Sequence, residues 1–232
     1  MRTDARHAVV TGTTSGIGRA IAASLLDAGW RVTGLDLAKP TLTHAAFDSW
    51  TVNLASPTEV DQVVAQLREV DALVHAAGVL RVGRLQDLGA DDGALMWQVH
   101  VDAATRLCKA LVPAMAARAD GRVVFIGSRV AQGMPGRGQY AATKAAVIAL
   151  ARSWAAEVAP NGVTLNVVSP AATATGMLKD PARAASAPRL PPIGRLIEPA
   201  EIAQLVHFLL SPAAAAITGQ DIAICGGASL PH

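Results

Sequence analysis

The chain has 232 residues, 51% of them hydrophobic, with 20 Lys and Arg against 18 Asp and Glu for a formal net charge of +2. This length and apolar content fit one domain with a sizeable core. They exclude a disordered chain, and 16% charged residues in near balance exclude an acidic tail or a basic nucleic-acid stripe. Cys108 and Cys225 stand far apart with no CxxC or Cys/His cluster, so neither a disulfide framework nor a metal site is expected, and a reducing cytoplasm is the expected location. No apolar run reaches the roughly 18 residues of a membrane span, and Met1–Ala8 lacks the apolar centre of a signal peptide. A soluble protein without nucleic-acid or membrane partners is expected.

Taken in chain order, short apolar runs alternate with stretches of helical period. The runs predict strands near Ala8–Thr11, Arg31–Asp36, Trp50–Leu54, Ala72–His75, Arg122–Ile126, Thr164–Val168 and Asp221–Ile224. Between them the spacing predicts helices near Ile17–Ala28, Pro57–Arg68, Ala94–Arg118, Gln139–Ala159 and Pro199–Leu210. Pro57 and Pro199 suit the first helical position, where a missing N–H costs nothing. Runs such as HAVVT and RVVFI are apolar throughout, so the strands are buried on both faces. The pattern predicts an α/β fold, a Rossmann-like doubly wound seven-stranded parallel sheet in a single domain. Ala171–Leu196, rich in Pro, Ala and Arg, resists assignment and is expected to form a lid over a substrate.

The first strand runs directly into Thr11-Gly12-Thr13-Thr14-Ser15-Gly16-Ile17-Gly18 and then a helix. Glycines allow a tight turn and a close approach to a pyrophosphate, and the helix start offers unpaired N–H groups to the anion. A plain strand-to-helix turn would need no acidic residue ending strand two, and Asp36 stands there. Its carboxylate either caps the following turn or serves a dinucleotide, where it suits the two ribose hydroxyls of NAD and would repel the 2′-phosphate of NADP. Thr13, Thr14, Ser15, Leu37 and Ala38 offer no compensating charge, and Lys39 is the nearest cation. NAD is the expected cofactor.

The single tyrosine, Tyr140, precedes Lys144 by four residues in a helical stretch, so both side chains share one face a turn apart. A phenol with a pKa of about 10 is a poor base at neutral pH, and an ammonium beside it favours the phenolate by stabilising its negative charge. Such a pair suits general acid/base work on alcohols and carbonyls. Twelve residues before Tyr140, the strand RVVFI ends in Gly127-Ser128, placing a hydroxyl at the carboxyl end of a parallel strand where open sheets bind ligands.

Together these residues resemble the short-chain dehydrogenase/reductase family. The resemblance runs over essentially the whole chain: TGTTSGIG at 11–18, Asp36, HAAG at 75–78, Ser128 before Tyr140-Ala-Ala-Thr-Lys144, NVVSPAATAT at 166–175 and ITGQDIAICGG at 217–227. It implies an oxidoreductase that passes hydride between a nicotinamide and a secondary alcohol or ketone, assembled as a homotetramer or dimer. By matching motif, Tyr140 would exchange the proton of the substrate oxygen, Lys144 would lower the tyrosine pKa and bind the nicotinamide ribose, and Ser128 would hold the reacting oxygen. Gly12, Ser15, Gly16, Ile17 and Gly18 would bind the cofactor with Ala76, Gly78, Tyr140 and Lys144, and Thr175 would meet the nicotinamide carboxamide. Asn53, where the family more often has aspartate, either accepts from the adenine amino group or simply ends a strand.

Three departures stand out. HAAG replaces the family's NNAG or NAAG, which makes His75 either a structural substitute for asparagine or a catalytic residue in its place. His100 aligns with the asparagine of the family's catalytic tetrad, whose main-chain carbonyl helps hold a water beside the lysine; the imidazole either preserves a proton relay or distorts the helix. Pro170-Ala171 replaces the usual Pro-Gly. Arg129 and Arg137, in the loop between Ser128 and Tyr140, suit an anionic small-molecule substrate. Within the family, AGVLRVG, VTGLDLA and ITGQDIAICGGASL are most similar to 2,3-dihydro-2,3-dihydroxybenzoate dehydrogenases, which implies a small cyclic hydroxy acid, dihydrodiol or polyol. Asp36 disfavours β-ketoacyl carrier-protein reduction, since those enzymes generally use NADP. An NAD-binding regulatory or scaffold protein with lost catalysis is the reading that His75 and His100 keep open.

Overall fold

The computed structural model describes residues 5–179 and 190–230. Its strands are β1 (His7–Thr11), β2 (Arg31–Asp36), β3 (Phe47–Thr51), β4 (Ala72–His75), β5 (Gly121–Ile126), β6 (Val163–Pro170) and β7 (Asp221–Ile224). All pair in parallel in one seven-stranded sheet of order β3-β2-β1-β4-β5-β6-β7, the predicted doubly wound fold. The order reverses at β1, flanked by β2 on one side and β4 on the other, which opens a crevice at the strands' carboxyl ends.

The helices are α1 (Gly16–Asp27), α2 (Pro57–Val64), α3 (Ala90–Trp97), α4 (Ala103–Ala117), α5 (Gly138–Val158) and α6 (Pro199–Leu210). Alternate strand residues point to opposite faces of the sheet. On one face Val9, Leu73 and Phe125 pack with Val60 of α2, Leu107 and Met115 of α4 and Val147 of α5. On the other, Val10, Val74 and Ile126 pack with Ile21 and Leu25 of α1 and Ile202 and Val206 of α6. Each buried Leu or Ile stabilises the fold by about 1.5–3 kcal/mol, so two filled faces account for the rigidity of the frame beneath the crevice. Both proline-led helices are capped. Ser56 Oγ accepts from Glu59 N–H, and Glu198 forms a reciprocal box with Glu201.

Two expectations are corrected. The third strand lies at 47–51 rather than 50–54, because Phe47 and Trp50 pair with Val32 and Leu35 while Asn53 already turns the chain toward α2. The long helix expected over 94–118 is divided by a π turn at Gln98–Asp102 between α3 and α4. Asn166 ties two distant motifs together: its Nδ2 donates to Ile217 O at 2.7 Å and its Oδ1 accepts from Gln220 N–H at 3.1 Å. Of the expected lid, residues 180–189 lie outside the described residues; Thr173 and Ile197 bridge its two described ends.

Candidate active site

The crevice is a cleft of about 980 Å³. At one end it is walled by the glycine turn, Asp36 and Asn53. At the other end it is walled by Gly78, Ser128, Tyr140 and Lys144, with Ala76 and Thr175 between. Every candidate catalytic and cofactor-binding residue of the sequence except His100 lines this cleft.

At Gly12 and Gly18 the turn is closed by contacts that leave no room for a side chain. Gly12 has φ +77°, and a Cβ there would lie 2.9 Å from the Ala77 backbone. A Cβ on Gly18 would meet Gly12 O at 2.2 Å, so α1 starts hard against the turn. Ser15, at the N-cap of α1, makes no side-chain capping bond, and the first turn carries no acidic residue. The helix therefore presents uncapped N–H groups to the cleft, an arrangement that fits a pyrophosphate. Asp36 is held firmly beside it. Its Oδ2 accepts from both the N–H and the hydroxyl of Thr14 at 2.9 Å, and its Oδ1 accepts from Ala38 N–H at 3.1 Å. Asn53 Oδ1, the atom expected to meet adenine, accepts from Ala55 N–H at 3.0 Å and shapes the turn after β3.

At the other end, Tyr140 and Lys144 project from the first turns of α5, 9% and 4% exposed, with the ammonium 5.8 Å from the phenol ring centre. Lys144 Nζ donates to Ile126 O at 2.8 Å, and burial lowers its pKa to about 8. Ser128 follows β5, and its Oγ accepts from Val130 N–H at 3.2 Å at the start of the short 3-10 turn Arg129–Gln132.

The two histidines stitch this end together from opposite directions. His75 Nε2 bonds Val99 O of the π turn at 3.0 Å, while Nδ1 lies 3.1 Å from Thr11 Oγ1. A carbonyl can only accept, so His75 carries its proton on Nε2. His100 Nε2 accepts from Val79 N–H at 3.0 Å, so its proton sits on Nδ1 and goes to Thr143 Oγ1 at 2.8 Å. Thr143 in turn donates to Tyr140 O at 2.9 Å. Strand β4 thus grips the π turn, and the π turn grips the loop after β4. Burial, reinforced by Lys144, lowers the His75 pKa to about 4 and holds His100 well below its ordinary value. Of the two roles expected for His100, proton relay and helix distortion, the geometry bears on both: each ring nitrogen is engaged, Nε2 by Val79 N–H and Nδ1 by Thr143 Oγ1. Helix distortion does occur, as the π turn itself, with His100 at its centre. Its ring stands edge-on to Tyr140, centres 5.6 Å apart.

The family model described as Enoyl-(Acyl carrier protein) reductase matches residues 12–229. The 3-oxoacyl-acyl-carrier-protein reductase FabG of Vibrio cholerae is 34% identical, with 98% of each chain covered. A solved structure titled as a short chain dehydrogenase/reductase family protein superposes with a TM-score of 0.87 at 33% identity, over 98% of each chain. The chain is a short-chain dehydrogenase/reductase. It is accordingly an oxidoreductase of CH–OH and C=O groups. The aldohexose dehydrogenase of Thermoplasma acidophilum shares the fold with a TM-score of 0.90 at 27% identity, covering 98% of this chain and 95% of that one. These short-chain relatives bear the names of carrier-protein and sugar enzymes; none of the three is named for a dihydrodihydroxybenzoate substrate.

Three residues escaped the sequence reading. Thr14 orients Asp36, Thr143 joins His100 to the tyrosine's own backbone, and Thr11 accepts from the N–H groups of Ala76 and Ala77. Each lies inside a recognised motif, but a threonine hydroxyl carries no periodicity or charge to mark its role.

Proposed function

We propose that this chain is an NAD-dependent oxidoreductase that interconverts a secondary alcohol and a ketone on a small substrate, of the hydroxy acid, dihydrodiol or polyol class. The observation that carries the reading is the common cleft: a carboxylate fixed by Thr14 at one end, and a buried phenol and ammonium one helical turn apart at the other. The uncapped start of α1 and the glycine cradle fit a dinucleotide pyrophosphate, and Asp36 fits an unphosphorylated ribose. A nicotinamide bound there supplies the hydride acceptor or donor. The chain's own part is the proton. Tyr140 takes it from the alcohol oxygen as the carbonyl forms and returns it in the reverse direction, while Ser128 hydrogen-bonds the same oxygen. Lys144 places positive charge beside the phenol, favouring its deprotonated form.

The test is spectrophotometric. Purified protein mixed with NAD and a panel of cyclic hydroxy acids, diols and polyols is expected to generate the near-ultraviolet absorbance of NADH, with NAD bound more tightly than NADP. Tighter NADP binding overturns the cofactor reading, and NAD binding without turnover across the panel favours the regulatory or scaffold role. A second reading, reduction of 3-oxoacyl thioesters on an acyl carrier protein, draws support from the name of the Vibrio cholerae relative. Faster oxidation of NADPH than of NADH with acetoacetyl-coenzyme A would select it.

A further inference from the structure

We infer that Arg129 is the anion-binding residue of the substrate site and that the alcohol or ketone acted on carries a carboxylate. This rests on the reading of Ser128, Tyr140 and Lys144 as the reacting end of the cleft. Charge is distributed unevenly along that cleft. Its only lining carboxylate among the described residues is Asp36, at the glycine-turn end, and its lining cations, Arg81, Arg129, Arg137 and Lys144, are at the other. Arg81 is engaged, with Nε 3.3 Å from Asp92 Oδ1. Arg129 is not: it is half-buried, it lines the cleft, and its guanidinium has no hydrogen bond or ion pair among the described residues. Of the other arginines, Arg6 and Arg122 pair with Asp120, Arg106 with Asp61, Arg118 with Asp71 and Arg195 with Glu201, while Arg31, Arg84 and Arg152, which have no ion pair among the described residues, are exposed to solvent.

Position adds to charge. Arg129 follows Ser128 directly, so its Cα lies about 3.8 Å from the Cα of the residue that holds the reacting oxygen. It opens the 3-10 turn Arg129–Gln132, which fixes the backbone beneath it. Leu80, Val79, Val130 and Met134 form an apolar wall beside Tyr140. A planar guanidinium in an apolar wall suits a carboxylate, which it can hold through two parallel N–H···O bonds. A neutral polyol would leave that charge unmatched.

The experiment uses matched pairs, 3-hydroxycyclohexanecarboxylate and its carboxamide, oxidised with NAD by wild type, Arg129→Gln, Arg129→Lys and Arg152→Gln. Arg152→Gln makes the same charge change on the exposed side of α5. In wild type the acid is expected to exceed the amide in kcat/KM by about 10- to 100-fold, the range of one charge-assisted contact. Arg129→Gln should erase that preference through KM, Arg129→Lys should keep part of it, and Arg152→Gln should behave as wild type. Equal use of acid and amide by wild type, a preference that survives Arg129→Gln, or equal loss in Arg152→Gln overturns the inference. Calorimetric binding of cyclohexanecarboxylate against cyclohexanecarboxamide reads the same site without turnover. A carboxylate preference lost in Arg129→Gln, in a protein that never reduces NAD, keeps the anion site and overturns the dehydrogenase reading instead.

Discussion

The two ends of the cleft are built from different materials. At the glycine-turn end the shape is made by backbone: Gly12 against Ala77, Gly18 against Gly12, and a single carboxylate pinned by the N–H and hydroxyl of Thr14 and by Ala38 N–H after β2. At the tyrosine end it is made by buried side chains from four separated segments, joined through His75, His100 and Thr143. Backbone geometry tolerates almost no substitution at Gly12 and Gly18, where a Cβ would meet backbone atoms at 2.9 and 2.2 Å, whereas a network of side chains depends on hydrogen bonds between groups far apart in sequence.

The comparison breaks most sharply at the proton-transfer group. Tyr140→Phe removes one hydroxyl from the tyrosine end and nothing from the other, so turnover is expected to fall by roughly 10²- to 10⁴-fold, the usual worth of a general acid/base. NAD affinity, measured by titration calorimetry, should stay within about twofold, since the ring and its edge-on packing against His100 are retained. Turnover that survives would remove the phenol from the chemistry.

At the opposite end, Asp36→Ala removes the charge facing a 2′-phosphate and frees the Thr14 and Ala38 donors that the carboxylate now occupies. The ratio of NAD to NADP affinity is expected to move toward NADP by on the order of 10²-fold, because a like-charge contact costs several kcal/mol. Unchanged preference would place cofactor choice elsewhere in the cleft.

Legibility in the sequence followed the same division. Strands buried on both faces, such as β4, announced themselves as continuous apolar runs, and β2, β4 and the half-exposed edge strand β7 begin and end where the residues say they do. The other edge strand, β3, did not, since Val52 and Leu54, apolar because they enter the core, lie beyond the strand's end at Thr51. The π turn was invisible for a related reason: a helical period carries on through Gln98–Asp102 with its apolar positions filled, and only the bonds from His75 and His100 show where the helix is interrupted. Motif spacing located Asp36, Tyr140 and Lys144. It said nothing of what holds them, because the hydroxyls of Thr14 and Thr143 act through hydrogen bonds that only the folded chain brings within reach.

A smaller effect concerns stability in acid. His75 has a folded pKa of about 4, below the 6.5 of the unfolded chain, because its neutral ring is buried beside Lys144. A base whose folded pKa is depressed binds fewer protons folded than unfolded between those two values. Stability is therefore full above pH 6.5 and declines as pH falls toward 4. For His75 alone the loss between about pH 7 and about pH 5 is about 2 kcal/mol, and His100 acts in the same direction. Urea midpoints measured at the two pH values should show the loss, and His75→Asn should flatten the slope. A slope unaltered in that variant would assign the acid sensitivity to other groups.

The smallest expected effect is the one that decides how the tyrosine end works. In His100→Asn the shorter side chain places its amide about where Nδ1 stands, so the Thr143 contact is kept while the bond from Val79 N–H, which reaches to Nε2, is lost. One hydrogen bond of that kind is worth about 1 kcal/mol net, which should appear in the urea midpoint. Turnover should remain within about threefold of wild type, because a neutral imidazole with both nitrogens engaged contributes position and not protons. The pH–rate profile separates the two roles. If His100 only positions Tyr140 and the Val79 loop, the profiles of variant and wild type superimpose from about pH 6 to about pH 9, the alkaline limb following Lys144, whose pKa is about 8. A displaced acid limb in His100→Asn would show that the imidazole exchanges protons during turnover, and the division between a backbone-built end and a side-chain-positioned end would have to be redrawn with histidine among the reacting groups.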